Sequence, residues 1–310
     1  MCNRLLAAFL VLMMLLSSFA LAEGEFPARN EDGFLDEGEF VYEDPDAGVW
    51  RYVSPTLKIE IIKYTQKSPK RVWFEAEVWT RGDEVFRMIP DDPDDPLGGD
   101  DWPYRIAREN KVVLAVNSDY AQNRVFNKQR VGIVIRNGEI LYDTTKKANA
   151  KGFPTLDTLA LLPGGDMKVF LSDELKAEDY IAMGAYDVLA FGPVLIRDGE
   201  LNEYALKKYG TSHAQRTAIG MVEPGHYFVM MLEGRHSKST GDGISFLAEK
   251  LYDRGCTLGF NLDGGATSCI VFMGKQLNIS NGDYPKASAR ATADILGIGT
   301  SELVPEPAKK

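Results

Sequence analysis

A chain of 310 residues with 45% apolar and 26% charged side chains has ample material for a large core, which excludes a disordered or fibrous protein. Its formal charge of −10, from 35 Lys and Arg against 45 Asp and Glu, excludes a nucleic-acid binder, because neutralising phosphates takes clustered cations and the sequence shows none. Three His and three Cys, with no CxxC or HExxH spacing, exclude most zinc architectures.

Residues 1–22 read as a secretory signal. Arg4 supplies the positive start, Leu5 to Leu16 is an apolar run of twelve, too short to span a bilayer, and Ala20-Leu21-Ala22 offers a cleavage site before Glu23. The expectation is a secreted protein cut after Ala22 and carrying no stable membrane anchor; an uncleaved N-terminal anchor is the alternative. Cys2 leaves with the signal, and Cys256 and Cys269 are expected as two buried thiols rather than a disulfide. Residues 23–48 hold ten acidic side chains between Glu23 and Asp46 against Arg29 alone, so they are expected as a solvated linker, with ordered structure starting near Val49.

Residues 49–105 predict a strand-rich accessory region. Leu57 to Ile61 and Val72 to Val78 alternate with period two, as half-buried antiparallel strands do. The following Asp91 to Asp101 segment is acidic and carries Pro and Gly. It reads as a solvated loop, since Pro96 stands where an EF-hand would need its third ligand.

A core domain is expected over 106–303, with a short tail at 304–310. Val112 to Val116 is a continuous apolar run, hence a strand buried on both faces. Asn137-Gly138 and Asp198-Gly199 supply the positive-φ pairs of type I′ hairpin turns. Pro163 to Asp166 and Glu223 to His226 predict further turns between strands. Ile244, Leu247, Ala248 and Leu251 form a helical stripe ended by Gly255, and Asp173 to Met183 is a weaker helix candidate. The sum is an α+β fold, a mixed, mostly antiparallel β-sheet core with a few packed helices.

Three segments carry polar chemistry that folding alone explains poorly. Asn117-Ser118-Asp119-Tyr120 stands at the exit of the buried strand, and Arg216 opens an apolar strand within His213 to Gly220. In Phe260 to Ser268, Asp263 sits at a strand tip before Gly264 and Gly265, where free backbone N–H groups would suit an anion. The plain alternative is a tight turn that Asp263 caps itself.

Taken together, NSDYAQNRVF, RTAIGMVEPG, LEGR (Leu232 to Arg235), GISFLAEKLYDRGC, FNLDGGATS and the closing Ala289 to Leu296 resemble the phosphodiester glycosidase family over roughly residues 110–300. The departures are Ser118 and Ala121 around Asp119-Tyr120, and Ala266 where the family carries a third glycine. The resemblance implies a secreted hydrolase that cleaves a sugar 1-phosphodiester, of the N-acetylglucosamine 1-phosphate type, at the anomeric carbon. In that reading Asp263 is base or nucleophile and Asp119 the second carboxylate. Arg216 clamps the phosphate together with the Gly264 and Gly265 amides. Asn117, Thr217, Glu233, Arg235, Asn261, Ser268 and His213 complete the expected binding set; Glu233 and Arg235 read equally well as a surface ion pair. His236 flanks the motifs, and His226 is expected solvated in a turn.

No cofactor is expected. A divalent cation shared by Asp119 and Asp263 is the alternative, but no ligand cluster is recognisable, and no metal is assigned. The expected partner is a phosphodiester-linked sugar or envelope glycan. The competing class is a non-catalytic glycan-binding or envelope protein with the same fold. Serine-hydrolase and P-loop chemistry are excluded by the absence of a G-x-S-x-G elbow and of a complete phosphate loop.

Overall fold

The structure, a computed structural model, describes residues 27–118, 120, 131–145, 154–280 and 289–307. The signal-like residues 1–22 and Asp119 therefore lie outside the described residues. The chain opens with β1 (Phe40–Asp44), β2 (Val49–Val53), β3 (Leu57–Lys67), β4 (Lys70–Thr80) and β5 (Arg87–Pro90). Helix α1 (Pro103–Glu109) leads into β6 (Val112–Asn117), β7 (Ile133–Arg136), β8 (Glu139–Asp143), β9 (Asp157–Leu161) and β10 (Met167–Phe170). After α2 (Ala177–Ala182) come β11 (Asp187–Phe191), β12 (Val194–Arg197) and the two-residue β13 (Glu200–Leu201). Helix α3 (Glu203–Tyr209) precedes the hairpin of β14 (Arg216–Glu223) and β15 (His226–Leu232). The chain closes with α4 (Ile244–Asp253), β16 (Leu258–Asn261), β17 (Ile270–Phe272), β18 (Lys275–Gln276) and β19 (Asp294–Thr300).

The strands build three antiparallel sheets, an α+β architecture. One has nine strands in the order β1-β2-β3-β4-β15-β14-β16-β12-β13; the others have five, β10-β9-β11-β7-β8 and β18-β17-β6-β19-β5. Alternation in β3 and β4 turns Leu57, Ile59, Ile61, Phe74, Ala76 and Val78 to one face, where they pack with Val113, Leu114 and Val116 of β6 and Leu159, Leu161 and Leu189 of the third sheet. The opposite face of the large sheet is covered by α4, whose Ile244, Leu247, Ala248 and Leu251 pack on Ala218, Phe228 and Met230. Burial of each large aliphatic there contributes about 1.5–3 kcal/mol. Gly255, at φ 78°, ends the helix.

Two expectations about the N-terminal part are corrected. The acidic stretch is not all linker: Phe40 to Asp44 pairs in register with Val49 to Val53, and Val41 packs against the core. Nor is 49–105 a separate accessory layer. Trp73 to Trp79 of β4 pairs along the whole of β15, which makes these strands part of the same sheet as the RTAIG strand. Two helices also went unsignalled by periodicity. For α1 the cue is Pro103 at its first turn, and for α3 it is Asn202, whose Oδ1 accepts the Ala205 N–H at 3.1 Å. Both hairpin turns have the expected positive φ, with Asn137 at 50° and Asp198 at 53°. Cys256 and Cys269 are free and buried, and burial pushes both thiols up to about 12.

A buried ion pair joins the two smaller sheets. Arg136 at the end of β7 donates from Nε and Nη2 to Asp294 Oδ2 at 3.0 and 2.6 Å, and both side chains are nearly inaccessible. Arg136 Nη1 donates to the carbonyls of Ile135 and Val188, and the Ser118 hydroxyl donates to Asp294 Oδ1. Asp187 lies close by; burial raises its pKa and the Arg136 charge opposes that rise. Arg136→Ala leaves the Asp294 carboxylate buried without its countercharge. It is expected to cost about 3–5 kcal/mol in urea unfolding, whereas Arg136→Met with Asp294→Leu recovers most of the loss.

Candidate active site

The strand β6 ends in Asn117, a fully buried side chain. Its Nδ2 donates to the backbone carbonyl of Asp263 at 2.7 Å. Its Oδ1 accepts the Thr217 hydroxyl at 2.7 Å and the Cys269 N–H at 3.0 Å. One carboxamide thus ties β6, in one of the five-stranded sheets, to β14 and to the segment after β16. A backbone bond from Asp263 N–H to Ser118 carbonyl, 3.2 Å, closes the junction.

Strands β14 and β16 pair with Ala218 opposite Asn261, and Leu262 N–H donates to Thr217 carbonyl at 2.9 Å. Carrying that register two residues onward sets Arg216 opposite Asp263, and the period of two puts both on one face. Each is 7% exposed. Arg216 is held from behind by a bond from Nη2 to the Ser212 carbonyl, 2.7 Å. Burial lowers the Arg216 pKa to about 10; the positive charge of Arg235 adds to that fall, and Asp263 pulls against it. Two guanidiniums and one carboxylate therefore share this corner.

Two glycines form the floor beneath them. A Cβ on Gly264 would sit 3.2 Å from Arg216 Nη1 and 3.1 Å from Gln215 carbonyl. At Gly265, whose φ of 66° already disfavours a side chain, a Cβ would sit 3.4 Å from Arg235 Nη1. Around this floor opens a cavity of about 520 Å³. Tyr120 and Phe191 form an aromatic wall, their rings 5.5 Å apart and edge to face. Burial first and the Asp263 charge second raise the Tyr120 phenol, so it keeps its proton at neutral pH. Lys208, Arg216, Arg235 and Arg290 reach the cavity, against the single described carboxylate of Asp263. Among the described residues no group of three or more His, Cys, Asp or Glu is placed to hold a metal ion.

This geometry sits on a chain that matches the phosphodiester glycosidase family profile over residues 110–299. The chain belongs to that family. The SPbeta prophage-derived uncharacterized protein YomE of Bacillus subtilis (strain 168) is 28% identical over 196 residues, 62% of this chain but only 29% of YomE itself. Among solved structures, the zebrafish N-acetylglucosamine-1-phosphodiester alpha-N-acetylglucosaminidase catalytic domain, auto-inhibited by its pro-peptide, matches with a TM-score of 0.62. Identity there is 18%, over 80% of this chain and 85% of that one. A hypothetical protein from Synechocystis matches at 0.51 with 14% identity, over 79% and 62%. A putative exported protein from Burkholderia pseudomallei matches at 0.50 with 12% identity, over 74% of each chain. These likenesses show the fold.

Within this phosphodiester glycosidase domain the expected site residues divide by position. Asp263, Arg216, Arg235, Gly264 and Gly265 line the cavity. The two glycine amides assigned to the phosphate are engaged elsewhere: Gly264 N–H donates to Asp263 Oδ1 at 2.8 Å and Gly265 N–H to Gln215 carbonyl at 3.0 Å. Asp263 thus caps its own turn and also lines the cavity. Asn117, Thr217, Asn261 and Ser268 are fully buried behind it. Asn261 Nδ2 holds the Gly192 carbonyl next to Phe191, and the Ser268 carbonyl accepts the Asn278 amide and the Ser280 hydroxyl.

Glu233 is no partner of Arg235. Its Oε2 lies 3.1 Å from His236 Nε2 and its Oε1 accepts the Ile279 N–H, so it braces a buried corner, where desolvation raises its pKa. His213 is exposed at the surface, 4.0 Å from Asp242, and does not line the cavity. His226 is not solvated in a turn but stacks on Trp79 and meets Glu77 at 2.8 Å. Phe191, Lys208, Tyr209 and Arg290 were missed. Only Arg290 had a cue, its place in the motif ending at Leu296.

Asn117→Ala strands three buried partners at once. It is expected to lower stability by about 2–3 kcal/mol, read from the urea midpoint. Asn117→Asp, which keeps an acceptor for Thr217 and Cys269 but sets an unpaired carboxylate oxygen against the Asp263 carbonyl in a fully buried site, is expected to cost at least as much at neutral pH.

Proposed function

We propose that this domain hydrolyses sugar 1-phosphodiesters at the anomeric carbon, with N-acetylglucosamine 1-phosphodiesters as the substrate type. The observation that carries the reading is the pairing of one carboxylate, Asp263, with two guanidiniums, Arg216 and Arg235, on the floor of one cavity. An ordinary glycosidase sets two carboxyl groups about the glycosidic bond, one of them protonating a poor alkoxide leaving group. A phosphate monoester, with a second pKa of about 6, departs without that proton and needs its charge stabilised instead.

In this scheme the aromatic wall of Tyr120 and Phe191 receives the sugar, and Arg216 and Arg235 flank the phosphate. Asp263 either takes a proton from water as its oxygen attacks C1 or attacks C1 itself, with water releasing the sugar in a second step. In both routes the C1–O bond breaks, its electron pair leaves with the phosphate, and the products are the free sugar and a phosphate monoester. The arginines take the role that the sequence suggested for the glycine amides, which already have acceptors. Residues 1–22, read as a signal, support a reaction outside the cytoplasm, on phosphodiester-linked sugars of envelope or exogenous glycans.

Purified protein incubated with an N-acetylglucosamine 1-phosphodiester is expected to release free sugar, with little release from the uncharged aryl glycoside. Binding without release would instead mark a glycan-binding protein. Asp263→Asn preserves an acceptor for the Gly264 N–H and should fold normally, yet lower kcat by at least about a hundredfold. Near-normal turnover would remove Asp263 from the mechanism. Arg216→Ala is expected to lose about a hundredfold or more in kcat/KM on the phosphodiester. An equal loss on the aryl glycoside would count against the clamp.

A further inference from the structure

A second cavity, of about 330 Å³, opens between α4 and the strands β3 and β4. Cross-strand pairing sets Tyr64 opposite Trp73 and Gln66 opposite Arg71, and the period of two turns both pairs to the face that α4 packs on. Tyr64 stacks on Trp73 with ring centres 5.1 Å apart, and Phe246 of α4 meets Trp73 edge to face at 5.4 Å. Arg71 lies over the Phe246 ring at 4.8 Å, while its Nη1 donates to Gln66 and its Nη2 pairs with Asp242. The two rings that line the cavity, Trp73 and Phe246, are thus held from several sides before any ligand arrives.

Beside these rings the helix presents groups that the chain itself does not use. Among the described residues, no side-chain hydrogen bond or ion pair engages Ser245, Glu249, Lys250 or Asp253, all of which line the cavity. They offer two carboxylate acceptors, one ammonium donor and one hydroxyl that does both. Two open carboxylates disfavour an anion, and a wholly apolar ligand would desolvate polar groups without pairing them. A sugar meets both demands. Its hydroxyls donate to the carboxylates and accept from the ammonium, and its C–H face rests on an aromatic ring. An N-acetyl group adds a methyl for the rings and an amide N–H for a carboxylate.

The cavity also adjoins the candidate active site. Asp242 of its wall and Ala214 of the active cavity exchange two backbone hydrogen bonds, at 3.1 and 3.3 Å. The Ser212 carbonyl that holds Arg216 belongs to the same segment as Ala214. The two spaces are therefore neighbours across a single backbone bridge.

We propose that this second cavity is a glycan-binding subsite, which holds an N-acetylated sugar of the same chain whose phosphodiester enters the active cavity. The link to the phosphodiester rests on the hydrolytic reading above; the chemistry of the subsite does not.

The test titrates the purified protein with chitotetraose, the linear tetramer of N-acetylglucosamine, and follows tryptophan emission. Trp73 lines the cavity and reports its occupancy, so the emission is expected to shift on binding, and Trp73→Phe to lose most of that shift. Glu249→Ala with Asp253→Ala, both at exposed positions of α4, keeps the reporter and should raise Kd by at least about tenfold. The same double variant should release sugar from the ethyl ester of N-acetylglucosamine 1-phosphate at the parent rate, since that small substrate does not need the second cavity. Absence of any shift would overturn the subsite and leave the hydrolytic reading standing, because the probe carries no phosphate. A shift that survives Trp73→Phe, or a Kd unmoved in the double variant, would overturn the assignment to this cavity. A parent protein that binds chitotetraose yet releases nothing from the ethyl ester would overturn the hydrolytic reading and the shared chain with it, and would support the subsite alone.

Discussion

The carboxamide of Asn117 holds two sheets together at the point where the cavity floor begins. A fully buried amide is costly unless each of its groups finds a partner, and here its donor meets the Asp263 carbonyl while its acceptor takes Thr217 and Cys269. Asp263 therefore cannot shift without breaking a bond to another sheet. Its N–H is tied to Ser118, and Ser118 in turn to Asp294, which Arg136 holds from the third sheet. The carboxylate thus stands on a backbone fixed from three directions. That is the rigidity a reacting group requires if its geometry is to be set before substrate arrives.

The same fixed floor explains why two glycines follow Asp263. Their amides are used by the chain itself. At Gly264 a Cβ would crowd the Gln215 carbonyl and the Arg216 guanidinium, and at Gly265 the positive φ is what favours glycine, with Arg235 Nη1 close by. Ala266, one residue later, carries its methyl group and still accepts the Arg290 N–H with its carbonyl. The departure from a third glycine is therefore compatible with an intact floor.

Much of this was legible in the residues, and the part that was not has a common cause. Asp263 and Arg216 came together through the resemblance to a known family. Local signals carried the central strand ending at Asn117, the Asn-Gly and Asp-Gly hairpins and the α4 stripe. Each rests on spacing within a single element. Phe191, Lys208 and Tyr209 reach the cavity from β11 and α3, and nothing in their own surroundings marks them; only the topology brings them in. The glycine amides failed for a similar reason. Whether Gly265 N–H is free depends on where the Gln215 carbonyl falls, which is a matter of strand pairing across some fifty residues. Glu233 and Arg235, two apart in sequence, point to different places because Arg235 adopts a positive φ of 58°.

In the proposed reaction, the nearness of Arg216 and Arg235 would bear on rate as well as on binding. A phosphodiester brings one negative charge, whereas the monoester that leaves carries about 1.5 to 2 at neutral pH. In that scheme, as the C1–O bond stretches, charge would build on the phosphate between the two guanidiniums. Each increment of charge would strengthen its attraction to both, so the pair would interact more strongly with the departing phosphate than with the intact diester. An interaction that grows along the reaction coordinate lowers the barrier, while one equal in both states would only tighten binding. Backbone amides on the same floor would present a weaker, fixed dipole. With those amides engaged within the chain, the charges offered to the phosphate are the buried guanidinium of Arg216 and the exposed one of Arg235.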